Sequence, residues 1–129
     1  MIVLDASAAV DALIRPADAV DLRALLGASD LQAPTLLDYE VVDALRGLSR
    51  GGVITATRAA DALTDFDDLA VRRWSMGDGL RRRAFGLRHS LTAYDAAYVA
   101  LAEALDCPLI TRDQRLARAA RDLVRIEVR

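Results

Sequence analysis

The sequence predicts an α/β protein, a three-layer α/β/α sandwich with a mostly parallel central sheet. Short apolar runs rich in β-branched residues ("MIVL", "LQAP", "LAVRRW", "CPLIT", "VRIEV") alternate with stretches of helical spacing, the rhythm of strands joined by helical crossovers. No change of composition, internal repeat, low-complexity segment or linker divides the 129 residues. The expectation is therefore one domain over 1–129, which would bury roughly two-thirds of its unfolded surface.

The elements follow in order. "MIVLD" reads as a buried strand over 1–4 that ends in an acid, and "SAAVDALI" as a helix with Ser7 as N-cap and Pro16 as its stop. A second helix is expected over 17–26, closed by Gly27, and "LQAP" as a short strand. From Thr35, the residues Leu37, Val41, Ala44, Leu45 and Leu48 form an apolar stripe at helical spacing, ended near Gly51 and Gly52. Thr55 opens a helix running to about 68, "LAVRRW" is strand-like, and a helix is expected over 79–88. "LTAYDAAYVALAEAL" is a helix written almost throughout for burial, "CPLIT" a buried strand, "DQRLARAARD" a helix and "VRIEV" an alternating final strand.

Composition removes several functions. No apolar run approaches the ~20 residues needed to cross a bilayer, and "MIVL" lacks the basic flank of a signal peptide, so a cytoplasmic protein without membrane contact is expected. The single cysteine, Cys107, excludes an internal disulfide and cysteine-cluster zinc, and its setting before Pro108 marks a buried filler. All 17 basic residues are arginine, a bias that genome composition explains, and the net charge is −2. That balance argues against a purely electrostatic nucleic-acid binder and leaves open a nuclease whose carboxylates hold a cation. His89 is the only histidine, so acid-base ribonuclease chemistry with two histidines is impossible. It reads as a turn residue or dipole partner. Neither a G-x-S-x-G elbow, a G-x-G-x-x-G fingerprint nor a Walker sequence is present, so no nucleotide cofactor is expected.

The informative residues are four carboxylates. Asp5 and Asp113 end the strand-to-helix stretches "MIVLD" and "PLITRD", and ligands in parallel α/β sheets bind at the carboxyl ends of the strands. Either acid could instead cap the helix that follows. Glu40 lies between Leu36 and Ala44 on a helical wheel, at the edge of the apolar stripe, where acids are rare unless paired or metal-bound. For Asp95, Thr92 three residues earlier makes "TAYD" a capping box, yet the helix it opens has almost no polar face. Ser7 and Thr111 flank two of the acids as D-x-S and T-x-D, hydroxyls suited to orienting a carboxylate. Two carboxylates about 4 Å apart repel by roughly 4 kcal/mol at an effective dielectric near 20. Four converging acids therefore require protons or a cation, and all-oxygen ligation suits Mg²⁺ or Mn²⁺.

The ordered set of Asp5 with Ser7, Glu40 followed by Leu45, "LTAYDAAYVALAEAL" with Asp95, and "PLITRDQRLARAA" with Asp113 resembles the PIN domain, and specifically VapC-type ribonuclease toxins, over essentially the whole chain. The resemblance implies a metal-dependent endoribonuclease with Mg²⁺ or Mn²⁺ in an acidic pocket of Asp5, Glu40, Asp95 and Asp113, helped by the hydroxyls of Ser7 and Thr111. It also implies an RNA substrate, neutralisation by a cognate antitoxin and toxin homodimers. The alternatives are a PIN-like RNA-processing nuclease without an antitoxin, and a module that binds RNA or a partner without cutting. A phospho-acceptor receiver domain has similar layering but relies on a lysine, and this chain has none.

Arginine density adds a candidate substrate rim. Arg72, Arg73, Arg81, Arg82, Arg83 and Arg88 crowd the middle, and Arg112, Arg115, Arg118 and Arg121 recur every third residue near the end. They read as solvated helix faces or as a phosphate-holding rim. Arg112, adjoining Asp113, is the one expected to approach substrate. Trp74 and the tyrosines are expected in the core, and "VVDALRGL" with the first helices at a dimer or antitoxin interface.

Overall fold

The computed structural model describes residues 1–14 and 17–128. The expected stop at Pro16 lies outside them. In chain order the elements are β1 (Ile2–Leu4), α1 (Ala6–Ile14), α2 (Val20–Gly27), β2 (Leu31–Pro34), α3 (Leu36–Arg50), α4 (Ala56–Asp67), β3 (Val71–Trp74), α5 (Asp78–Gly86), α6 (Ala93–Leu105), β4 (Leu109–Thr111), α7 (Gln114–Ala120) and β5 (Ile126–Val128). The strands form one sheet of order β3-β2-β1-β4-β5, and every pairing is parallel. The fold is the three-layer α/β/α sandwich that the sequence predicts.

Alternation along β1 divides the core. Leu4 packs with Ala9 and Val10 of α1, Leu22 and Leu26 of α2, Leu37 and Val41 of α3, and Phe66 of α4. Val3 packs with Ala84 of α5, Tyr98, Val99 and Leu101 of α6, and Leu116 of α7. Successive strand side chains point to opposite faces, so one face of the sheet carries the first four helices and the other the last three. Leu4, Leu37, Leu101 and Leu109 are fully buried, and truncating one such leucine to alanine costs about 2–5 kcal/mol.

Local chemistry sets the helix ends. Thr55 caps α4 by accepting from the Arg58 amide at 3.0 Å, and Asp113 caps α7 by accepting from the Arg115 and Leu116 amides at 2.9 and 3.2 Å. The helix α6 is buried on all sides from Ala96 to Ala102 and ends at Asp106 in the left-handed region, φ 50°, a conformation that aspartate tolerates better than most residues.

Three expectations are adjusted. The second helix starts at Val20 rather than 17, because its first i to i−4 bond runs from the Arg23 amide to the Ala19 carbonyl. Ser7 is the second residue of α1, not its cap, because its hydroxyl turns to Asp5 and Thr111. The final strand is an outer edge, so its alternating letters are only half-buried.

Candidate active site

The strand register builds the site. β1 and β4 are central neighbours with Leu4 level with Ile110, so the next residues, Asp5 and Thr111, come side by side where both strands end. The chain runs outward from β1 through β2 to β3, then returns to the other side of β1 at β4. A crevice opens at such a reversal, at the carboxyl ends of the strands.

Asp5 is buried at 7% exposure. Its Oδ2 accepts from Thr111 Oγ1 and Ser7 Oγ, each at 2.7 Å. The two hydroxyls lie 3.1 Å apart, Ser7 Oγ accepts from the Arg112 amide at 3.0 Å, and Thr111 Oγ1 accepts from the Asp113 amide at 3.0 Å. This lattice fixes the Asp5 carboxyl and the turn into α7 together. Burial pushes the Asp5 carboxyl above its ordinary range, the hydroxyls of Ser7 and Thr111 and the Ala6 amide draw it back, and the charge of Asp95 raises it further.

Glu40, half-buried on α3, accepts from Tyr98 Oη on α6 at 2.6 Å. Its carboxyl is also raised, first by burial and then by the charges of Asp5, Asp95 and Asp43, while the Tyr98 hydroxyl opposes the shift. Burial, followed by the bond to Glu40, pushes the Tyr98 phenol far above its usual value, so it stays a donor. Asp95 sits in the first turn of α6, where its amide donates to Thr92 Oγ1 at 3.2 Å. Its carboxylate Oδ2 accepts from Arg115 Nη2 at 2.8 Å, and the same nitrogen reaches Asp113 Oδ2 at 3.3 Å. Asp113 Oδ1 is committed to the cap of α7.

The structure thus brings Asp5, Glu40 and Asp95 into mutual electrostatic reach and ties Asp113 to Asp95 through Arg115. Asp113 is itself the cap of α7, whereas at α6 the capping group is the Thr92 hydroxyl and the Asp95 carboxylate turns to Arg115. Among the described residues, no group of three or more Asp, Glu, His or Cys side chains stands close enough to hold one ion. The donor atoms that these side chains offer are all oxygen, the type a hard cation takes. Mg²⁺ takes one or two carboxylates directly and keeps several waters, the ligation such a spaced set fits.

Arg112 lines the cleft shared by Ser7, Asp11, Glu40 and Asp43 and is held to Asp11 at 3.4 Å. Much of the remaining arginine rim is engaged on the surface: Arg73 with Asp38, Arg83 with Glu103, Arg82 with Asp78, Arg72 over Trp74 and Arg88 over Phe85. The sequence reading placed Arg115 only in the arginine rim and Tyr98 only in the core. Arg115 instead bridges Asp95 and Asp113, and Tyr98 reaches Glu40; Tyr98 stands three residues past Asp95, a spacing that shares one side of a helix. Tyr39 and Tyr94, expected in the core, are instead exposed at 76% and 64%, since each lies on the outward side of its helix.

The PIN domain family model matches residues 2–122. The chain belongs to the PIN domain family. Ribonuclease VapC1 of Mycobacterium tuberculosis is 47% identical over 118 residues, 91% of this chain and 89% of that protein. VapC ribonuclease Mb0985 of Mycobacterium bovis is 44% identical over 117 residues, with the same coverages of 91% and 89%. Among solved structures, VapBC2 from Rickettsia felis, bound to a DNA fragment from its promoter, superposes with a TM-score of 0.70 at 14% identity, covering 100% of this chain and 99% of that one. PAE2754 from Pyrobaculum aerophilum gives 0.68 at 23% identity, over 97% of this chain and 87% of that one. These likenesses support the PIN fold across the sheet and all its crossovers.

Proposed function

We propose that this PIN domain is a metal-dependent endoribonuclease, the VapC toxin of a toxin–antitoxin pair, acting on RNA in the cytoplasm. The observation that carries the reading is the gathering of Asp5, Glu40 and Asp95 within reach of one another's charge at the sheet's reversal point, on a chain whose relatives are named VapC ribonucleases. No helix among the described residues is long and apolar enough to cross a membrane.

Asp5, Glu40 and Asp95 would hold Mg²⁺ or Mn²⁺ directly or through water, with Asp113 acting from behind through the α7 cap. Bound there, the ion supplies Lewis acidity, stabilising charge on phosphate oxygens and making water easier to deprotonate. The residues contribute the rest. The lattice of Ser7 and Thr111 keeps Asp5 in one orientation before substrate arrives. Glu40, whose proton affinity is raised, is suited to accept a proton from attacking water, and Tyr98 aims its carboxylate. Arg112 sits in the cleft to receive a phosphate.

Purified protein should produce new RNA ends with Mg²⁺, lose that activity in EDTA and regain it with Mn²⁺. Asp95→Asn protein cutting at the wild-type rate, or cutting unaffected by EDTA, would overturn the assignment. If metal-loaded protein retains RNA without cutting it, the binding-module reading replaces this one.

We also propose that the domain works as a homodimer and is neutralised by an antitoxin. Exposed Val42, within the "VVDALRGL" segment singled out from the sequence, and exposed Tyr39 just before it support an interface on α3. Light scattering of the isolated chain, and co-purification with the product of the neighbouring reading frame, test the two partners separately.

A further inference from the structure

We infer that Arg115 is a displaceable internal counter-cation: it neutralises Asp95 and Asp113 in the metal-free protein, competes with the divalent ion for Asp95, and once released turns its guanidinium to the RNA phosphate. This rests on the metal-nuclease reading above. Three observations carry it. The Arg115 guanidinium bridges two of the four acids, at 2.8 Å to Asp95 and 3.3 Å to Asp113.

The two ends of the main pair are unequally fixed. The Arg115 side chain is 60% exposed and that of Asp95 only 17%, so the guanidinium can leave for water at little cost while Asp95 keeps its backbone held at the start of α6 by Thr92. Its backbone, meanwhile, is pinned by the amide bond to Asp113, so a released side chain pivots at the mouth of the site and is not lost from it. Arg112 offers a contrast: its side chain is 19% exposed and its guanidinium faces Asp11 at 3.4 Å and the Asp18 carbonyl at 3.5 Å. One arginine is built to stay and the other to move.

The charge logic fits both states. With Asp95 and Asp113 both reaching one guanidinium, this corner of the pocket keeps a positive charge in the absence of an ion. An incoming divalent cation makes Arg115 a like charge beside it, and the planar guanidinium then has a phosphate to grip with two parallel bonds.

Titration calorimetry with Mn²⁺ alone, on wild-type, Arg115→Met and Arg115→Lys proteins, tests the competition. The methionine variant should bind Mn²⁺ roughly fivefold tighter, the scale of one well-aligned ion pair, and the lysine variant within about twofold of wild type. A second measurement uses a short single-stranded RNA in a Glu40→Gln background, where cutting is suppressed. There Arg115→Met should weaken RNA binding roughly fivefold with Mn²⁺ and leave it unchanged in EDTA. Equal Mn²⁺ binding by wild-type and Arg115→Met proteins overturns the inference and leaves the nuclease reading standing, as does an RNA loss of the same size with and without metal. Absence of Mn²⁺ binding by both proteins overturns the two together.

Discussion

Tyr98 donates to Glu40 across 2.6 Å, joining α6 to α3, 58 residues apart in sequence, over the carboxyl edge of the sheet. The bond draws the Glu40 carboxyl downward against the burial and neighbouring charges that raise it. Tyr98→Phe keeps the ring and removes only the donor. Glu40 should then hold its proton to higher pH, so the acidic limb of the kcat/KM profile moves toward alkaline values while the plateau changes little. An unmoved limb would disconnect Tyr98 from Glu40 ionisation.

The Thr111 hydroxyl serves two partners at once, donating to Asp5 and accepting from the Asp113 amide, in a fully buried position. Thr111→Val conserves shape and strands both partners. Denaturant unfolding should show a loss of about 1–3 kcal/mol. RNA cleavage should fall by about 10- to 100-fold, the cost typical of losing a group that orients a ligand.

Burial and like charge raise the Glu40 carboxyl above its ordinary 4.5, so the folded protein binds this proton more tightly than the unfolded chain. Stability therefore declines as pH climbs from about 4.5 through the folded value, and the penalty is complete above it. Glu40→Gln retains an oxygen for Tyr98 and removes the charge. In metal-free buffer it should melt higher than wild type at pH 7, with the gap closing below pH 4.5. A gap independent of pH would locate the gain elsewhere.

Thr92 Oγ1 accepts from the Asp95 amide and so fixes where α6 begins. Thr92→Ala should lower stability by about 1 kcal/mol and, by loosening the turn that carries Asp95, raise the Mg²⁺ concentration needed for half-maximal cutting. Thermal melts and a Mg²⁺ titration of cleavage separate the two effects.

The sheet and its crossovers were legible because each strand is a short apolar run and each helix carries its own period or cap. Asp5 and Asp113 were legible for the same reason, as the acids that end strands. Glu40 stood out as a charge beside an apolar stripe. Arg115 and Tyr98 were not, because an arginine on an outward helix face and a tyrosine in a buried one have ordinary local roles. Their partners are set by how α6, α7 and α3 meet. Ser7 shows the converse: local rules favour a serine as helix cap, but a tertiary contact with Thr111 captured the hydroxyl.

The bond between Asp5 and Thr111 links residues 106 apart. Contacts of such long range form late, after the entropy of closing the loop has been met. During synthesis β1 can pair with β2 early but gains its other neighbour only when β4 follows, and a fragment that stops short of β4 keeps the Ser7 hydroxyl on Asp5 and lacks that of Thr111. The Thr111 half of the lattice around Asp5 is therefore completed only once the chain has reached β4, a dependence that arises from strand order alone.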